Sequence, residues 1–276
     1  MNKELGQNLK YTLDKAPVVE VILGIQFRPI AALNSYQLAR FCNSIASEFD
    51  SATIEDVSPL ELQYEKFGDD RQLGDIRTFG VPISQGTHPR YRIANQKRSR
   101  MIQIQNGRFH YNWMKKDEEY PHYETVRAKF DQLFSKFQSF VRDQRIGIIE
   151  GDQWEITYVD LMPKGLMWTK VSEIPRLFKG GLLIPADELS MEPDALTAKV
   201  NFEIVPKKGR VYVDVQHAYS LENGGKVEVI RMDTTARGPI INGEDGLNVG
   251  HSAVSKIFKE LMSAEAFKTW GCSYVS

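Results

Sequence analysis

The chain has 276 residues, of which 42% are hydrophobic and 26% charged, with 36 acids against 35 bases and a net charge of -1. That length is enough to bury a sizeable core without disulfides or metals. A balance so near neutrality leaves no global field to draw nucleic acid or an anionic membrane, so any such attraction must come from a local patch.

Two cysteines far apart, Cys42 and Cys272, argue against a disulfide framework and for a reducing compartment. The first residues, MNKELGQNLKYTLDKAP, are polar and lack an apolar core of signal-peptide length. The longest apolar runs, VILGI and GLLIPA, fall far short of a membrane span. The expectation is a cytoplasmic protein with no membrane contact.

The first predicted element is a buried strand, Val18 to Phe27, rich in Val and Ile and bracketed by prolines. Asn34 and Ser35 can cap a helix whose apolar positions are Leu38, Phe41, Cys42, Ile45 and Phe49. A weaker strand signal covers Leu60 to Phe67, followed by the polar turn GDDRQLGD. Strands are then expected at Ile76–Ile83, Arg90–Asn95, Met101–Gln105 and Arg108–Trp113, with Asn106-Gly107 a strong two-residue hairpin signal. A long amphipathic helix follows, with Val126, Phe130, Leu133, Phe134, Phe137 and Val141 on one face.

The second half repeats that order loosely. A strand runs from Gln153 to Pro163, VSEIPRLFKGG is a short helix or turn, and strands are expected at Ala198–Val205, Val211–Ala218 and Lys226–Thr234. A final helix carries Val249, Val254, Ile257, Phe258 and Leu261, with a short one at Ala264–Trp270. The repeat lies in element order, not in residue identity. It predicts an α+β chain of two similar lobes, residues 1–145 and 146–276, each an antiparallel sheet packed on a long amphipathic helix.

The stretches APVVEVILGIQF, MIQIQNGRFHYNW, ITYVDLM and LNVGHSAVSKIFKELMSAEAFKTWG give the chain a resemblance, over almost its whole length, to a sporadically distributed, uncharacterised bacterial family. That family opens on an A-P-[IV]-[VI]-E strand, matched by Ala16, Pro17, Val18, Val19 and Glu20. After its long helix it often reads Y-[IV]-N, where this chain has Tyr158, Val159 and Asp160. The resemblance implies no agreed activity and transfers no catalytic residue. Its patchy distribution is the habit of mobile or defence-associated genes, an associational link to antiphage systems.

The main functional signal is charge. Between Asp75 and Asp117 lie nine bases and no acid in 41 residues: Arg77, Arg90, Arg92, Lys97, Arg98, Arg100, Arg108, Lys115 and Lys116. Basic side chains neutralise phosphates, and aromatics such as Tyr91, Phe109, Tyr111 and Trp113 can stack on bases when exposed. Arg90, Arg92, Lys97, Arg98, Arg100, Arg108 and Tyr111 are therefore candidate contacts to nucleic acid or an acidic partner protein. The competing reading is a solvated face with its counter-charges elsewhere.

Glu20, Glu155 and Asp160 stand in apolar strands, where a carboxylate must be paired, hydrogen-bonded or raised in pKa, and they are candidate groove residues. None of the histidines His88, His110, His122, His217 and His251 has metal-ligand spacing, and no Walker loop or GxGxxG occurs. No catalytic residue, metal or cofactor is assigned. The expected function is a non-enzymatic recognition or accessory module for a polyanion or a partner protein, with homo-oligomerisation compatible. The alternative is a small-molecule receptor or enzyme using a groove between sheet and helix.

Overall fold

A computed structural model describes residues 10–50, 52–67, 89–116, 118–179, 190–222 and 225–275. Val18–Phe27 (β2) is the expected buried strand, and it lies at the middle of a nine-stranded antiparallel sheet. Ahead of it, Lys10–Leu13 (β1) pairs separately with the last strand of the chain. Helix α1 (Ser35–Ile45) starts where Asn34 Oδ1 accepts the Gln37 N–H at 3.1 Å, satisfying one of the free donors of the first turn. The sheet continues through Thr53–Val57 (β3), Arg90–Ala94 (β4), Arg100–Gln105 (β5) and Arg108–Met114 (β6). Gly107, at φ +100°, makes the hairpin turn between β5 and β6, a conformation that side chains with a Cβ resist.

Helix α2 (His122–Asp143) buries Val126, Phe130, Leu133, Phe137 and Val141, the stripe that the 3.6-residue period predicts. The second half supplies Gly151–Pro163 (β7), Thr197–Ile204 (β8), Gly209–Glu222 (β9), Gly225–Pro239 (β10), helices α3 (Gly246–Leu261) and α4 (Ala264–Thr269), and Cys272–Val275 (β11). Val171–Leu177 is a 3-10 helix.

The protein is thus α+β, with one large antiparallel sheet and several helices. Its strand order is β3-β4-β5-β6-β2-β7-β10-β9-β8. The sheets expected of the two halves are joined without a break by the β2–β7 pairing. Residues 60–67 form no strand; they cross the sheet as a strap. The strand expected at Ile76–Ile83 and the turn GDDRQLGD lie outside the described residues.

All three longer helices cover the same face. Phe27 and Phe109 on the sheet meet Phe137 of α2 at 5.9 and 5.5 Å between ring centroids, and Phe41 of α1 meets Phe137 at 5.0 Å. Trp154 and Ile156, which share that face, pack under α3 at Gly250. Each fully buried aromatic contributes roughly 1.5–3 kcal/mol, plus about 0.5–1.5 kcal/mol for a well-placed ring pair. Among the described residues the other face carries no helix, and its chemistry is different.

Candidate functional site

Strand alternation sends successive side chains to opposite faces. In β6, Phe109, Tyr111 and Trp113 enter the core while Arg108, His110 and Asn112 face the open side. Register then aligns polar residues across the sheet. One transverse row reads Glu55, Arg92, Gln103, His110, Gly24, Glu155, Arg237 and Arg210, from β3 to β9. No stretch of sequence contains that row; only the pairing of strands assembles it.

Gly24 lies between His110 and Glu155. A Cβ there would stand 2.3 Å from His110 Cδ2, so the missing side chain is the space the imidazole occupies. His110 Nε2 reaches Glu155 Oε2 at 3.1 Å, and Arg108 approaches Glu155 Oε1 at 3.5 Å. Burial alone would raise the Glu155 pKa; the His110 hydrogen bond and the Arg108 and Arg237 charges outweigh it and pull the carboxyl down to about 2. Burial lowers the His110 pKa. An ionised carboxylate can only accept, so His110 donates its Nε2–H to Glu155.

Beside it runs a second network. Gln103 Nε2 donates to Asn112 Oδ1 at 3.0 Å, and Asn112 Nδ2 donates to Glu20 Oε1 at 2.6 Å. Burial raises the Glu20 pKa despite that hydrogen bond. Gln103 Oε1 accepts from both Arg90 (2.9 Å) and Arg92 (3.3 Å). Among the described residues neither arginine has an acidic partner within ion-pair distance, and Arg90 Nε is buried without a hydrogen-bond acceptor. Burial, with the neighbouring Arg92 and Arg108 charges, lowers the Arg90 pKa to about 10. Arg108 Nε is likewise buried and unpartnered. Arg108 is the better supplied of the three, donating to Gln26 Oε1 at 2.6 Å and Glu61 O at 3.0 Å beside Glu155, whereas Arg90 and Arg92 share the Gln103 oxygen.

The candidates from the sequence separate into three places. Arg90, Arg92 and Arg108 meet on the open face with Glu20 and Glu155. Lys97, Arg98 and Arg100 lie at the β4–β5 hairpin tip, where Arg98 Nη2 donates to both Glu55 oxygens at 2.8 Å and Arg100 approaches Glu118 at 3.7 Å. Tyr111 is 3% exposed in the core and offers no ring face to a base. Asp160 is five residues from Glu155, an odd spacing that places it on the helix face beside Met232 and Val18. There it is 4% exposed, and burial, with the Asp233 charge, pushes its pKa up to about 8. Arg77 and His88 lie outside the described residues.

Sequence reasoning missed Gln26, Gln105, Gln153, Arg210 and Arg237, all on the open face. For the β5–β6 hairpin the signal was the strict alternation in QIQ and RFHYNW, which puts Gln103, Gln105, Arg108, His110 and Asn112 on one polar face. A 340 Å³ cleft between α1 and α2 is lined by Phe41, Ile45, Glu48 and Lys136, and its charges are already matched, with Glu48 bound to both Lys129 and Lys136. Both cysteines are free thiols. Among the described residues no three His, Cys, Asp or Glu side chains converge as a metal site requires, and no helix is long and apolar enough to cross a membrane. Comparison with protein-family models, curated proteins and solved structures gives no match to this chain.

Proposed function

We propose that the protein is a non-enzymatic recognition module that binds a phosphate-bearing ligand, nucleic acid or nucleotide, through Arg90 and Arg92 on the open face of the sheet. The observation that supports this reading is the pair's lack of an acidic partner among the described residues, with Gln103 their shared acceptor. Clustered cations without counter-charge destabilise a fold, and an arriving phosphate would satisfy their donors in a fork geometry. In this proposal the two halves of the chain act as related units joined at β2–β7, in a reducing cytoplasm. A partner protein's acidic side chain is the second reading. It is favoured by Glu65, a carboxylate already held on the same face by Arg210, Arg237 and Tyr212.

The test is fluorescence anisotropy with labelled single- and double-stranded DNA and RNA over a salt series. Wild type is expected to bind at low salt and to weaken steeply as salt rises. An Arg90→Glu/Arg92→Glu variant should not bind, while Lys97→Glu/Arg98→Glu/Arg100→Glu should keep most of the affinity. Binding by the Arg90/Arg92 variant equal to that of wild type would sink the proposal.

A further inference from the structure

Residues 58–67, SPLELQYEKF, lie across the open face outside any helix or strand, with Leu60 against β5, Gln63 against β2 and Glu65 against β7. Among the described residues their main chain makes no hydrogen bond to any other main chain outside regular elements. Side chains of the sheet hold it instead. Gln105 donates to Leu60 O at 2.7 Å and accepts from Leu60 N at 2.8 Å. Gln26 does the same for Gln63, at 3.0 and 3.1 Å. Gln153 donates to Gln63 O at 2.7 Å and accepts from Glu65 N at 3.0 Å. Arg108 donates to Glu61 O at 3.0 Å, and Arg210 to Lys66 O at 3.3 Å.

Gln26, Gln105 and Gln153 are buried, at 0, 5 and 2% exposure, so leaving their amides unpaired would carry the full desolvation cost. Each presents a donor and an acceptor side by side, as a neighbouring strand would. The contacts read mainly the peptide's backbone: Glu61 and Lys66 are exposed, while Gln63 Oε1 accepts from Arg237 and the Phe67 ring lies 5.4 Å from the Arg210 guanidinium. The Glu65 side chain is read most closely. The Glu65 carboxylate is 2% exposed and receives Arg210 at 2.8 Å, Tyr212 OH at 2.7 Å and Arg237.

We infer that the open face is a groove for an extended peptide of a partner protein carrying an acidic residue, and that the strap is the chain's own resident occupant of it. Buried carboxamides fix the main chain, and Arg210, Arg237 and Tyr212 select the carboxylate. Being tethered, the strap competes at a high effective concentration, so an outside peptide gains access when the strap's anchor is weakened. The inference goes beyond the anion reading and rests on different residues; an Arg90→Glu/Arg92→Glu variant should leave it intact.

The experiment uses a fluorescein-labelled synthetic peptide of sequence SPLELQYEKF, titrated into the full chain. Wild type should bind it weakly, and Glu65→Ala at least about tenfold more tightly, because its own strap has lost the carboxylate that the free peptide retains. The same peptide with its second glutamate changed to alanine should not bind, nor should the intact peptide bind a Glu65→Ala/Gln153→Ala chain. Equal peptide affinity for wild type and Glu65→Ala overturns the inference. Should Glu65→Ala fail to fold, hydrogen exchange on wild type decides. The Gln63 and Glu65 amides should exchange at least about 100-fold faster than those of β2 and β7, and equal protection overturns exchangeability of the strap.

Discussion

Replacing Glu155 by Gln tests whether the polar network on the open face is held by charge. The side chain keeps its shape and can still accept from His110, but Arg108, with 9% of its side chain exposed, loses its buried counter-charge. A carboxyl drawn from its ordinary 4.5 to about 2 favours the folded, ionised state by roughly 3 kcal/mol, at about 1.36 kcal/mol per pH unit. Breaking a buried pair on one side costs a comparable ~3–5 kcal/mol. Glu155→Gln should therefore lower the unfolding free energy at pH 7 by about 2–4 kcal/mol, with an unchanged denaturant slope, in guanidinium titrations followed by tryptophan fluorescence. The pH dependence is directional. Because the folded-state pKa is depressed, this stability is present above about pH 4.5 and is lost as pH falls toward 2, so the variant should show a shallower acid limb. A loss below about 0.5 kcal/mol, with an acid limb like that of wild type, would refute the electrostatic reasoning.

Three further outcomes follow from named contacts. Asp160 behaves in the opposite sense: the unfolded chain ionises it near pH 4 while the folded chain keeps its proton to about 8, so stability should fall as pH rises across that window. Asp160→Asn should flatten that slope and stabilise by a few kcal/mol above pH 8, measured by thermal unfolding across pH; an unchanged slope would count against it. Gly24→Ala should cost about 1–3 kcal/mol by driving a methyl into the His110 ring, and much of that loss should disappear in a His110→Ala background, seen as a coupling above about 1 kcal/mol in a double-mutant cycle. Arg90→Met should be neutral or stabilising by up to about 2 kcal/mol in denaturant titrations, since it removes a half-buried cation among like charges, and it should weaken oligonucleotide binding in the anisotropy assay.

What the sequence made legible was the part written in periodicity. The strand Val18–Phe27, the Asn34 cap and the stripe Val126–Val141 each depend on local spacing, and each is found in the structure. The open face was half visible: Glu20 and Glu155 stand out because carboxylates in apolar strands need a reason. The error concerned Tyr111. Aromatic residues interleaved with bases resemble a stacking platform, yet period-2 alternation sends the two classes to opposite faces, so Arg108 and His110 lie on the face the strap crosses while Phe109 and Tyr111 lie under the helices. Arg210 and Arg237 could not be found from the sequence, because they join the site only through the pairing of β7 with β10 and of β10 with β9. The strap escaped for a related reason. Leu60–Phe67 carries a weak strand pattern, but its main chain is bound by Gln26, Gln105 and Gln153, which lie at least 37 residues away in sequence.

The most direct test of the anion site is to follow the arginine Nε–H resonances by ¹H–¹⁵N spectroscopy while titrating a mononucleotide and then a short oligonucleotide. Arg90 and Arg108 hold Nε groups that are buried and without an acceptor, so their signals report on the site itself. Saturable shifts of the Arg90, Arg92 and Arg108 signals, weakening with salt and lost in Arg90→Glu/Arg92→Glu, are the predicted result. Unmoved Arg90 and Arg92 signals at saturating ligand, with any response confined to the Lys97–Arg100 hairpin tip, would contradict it.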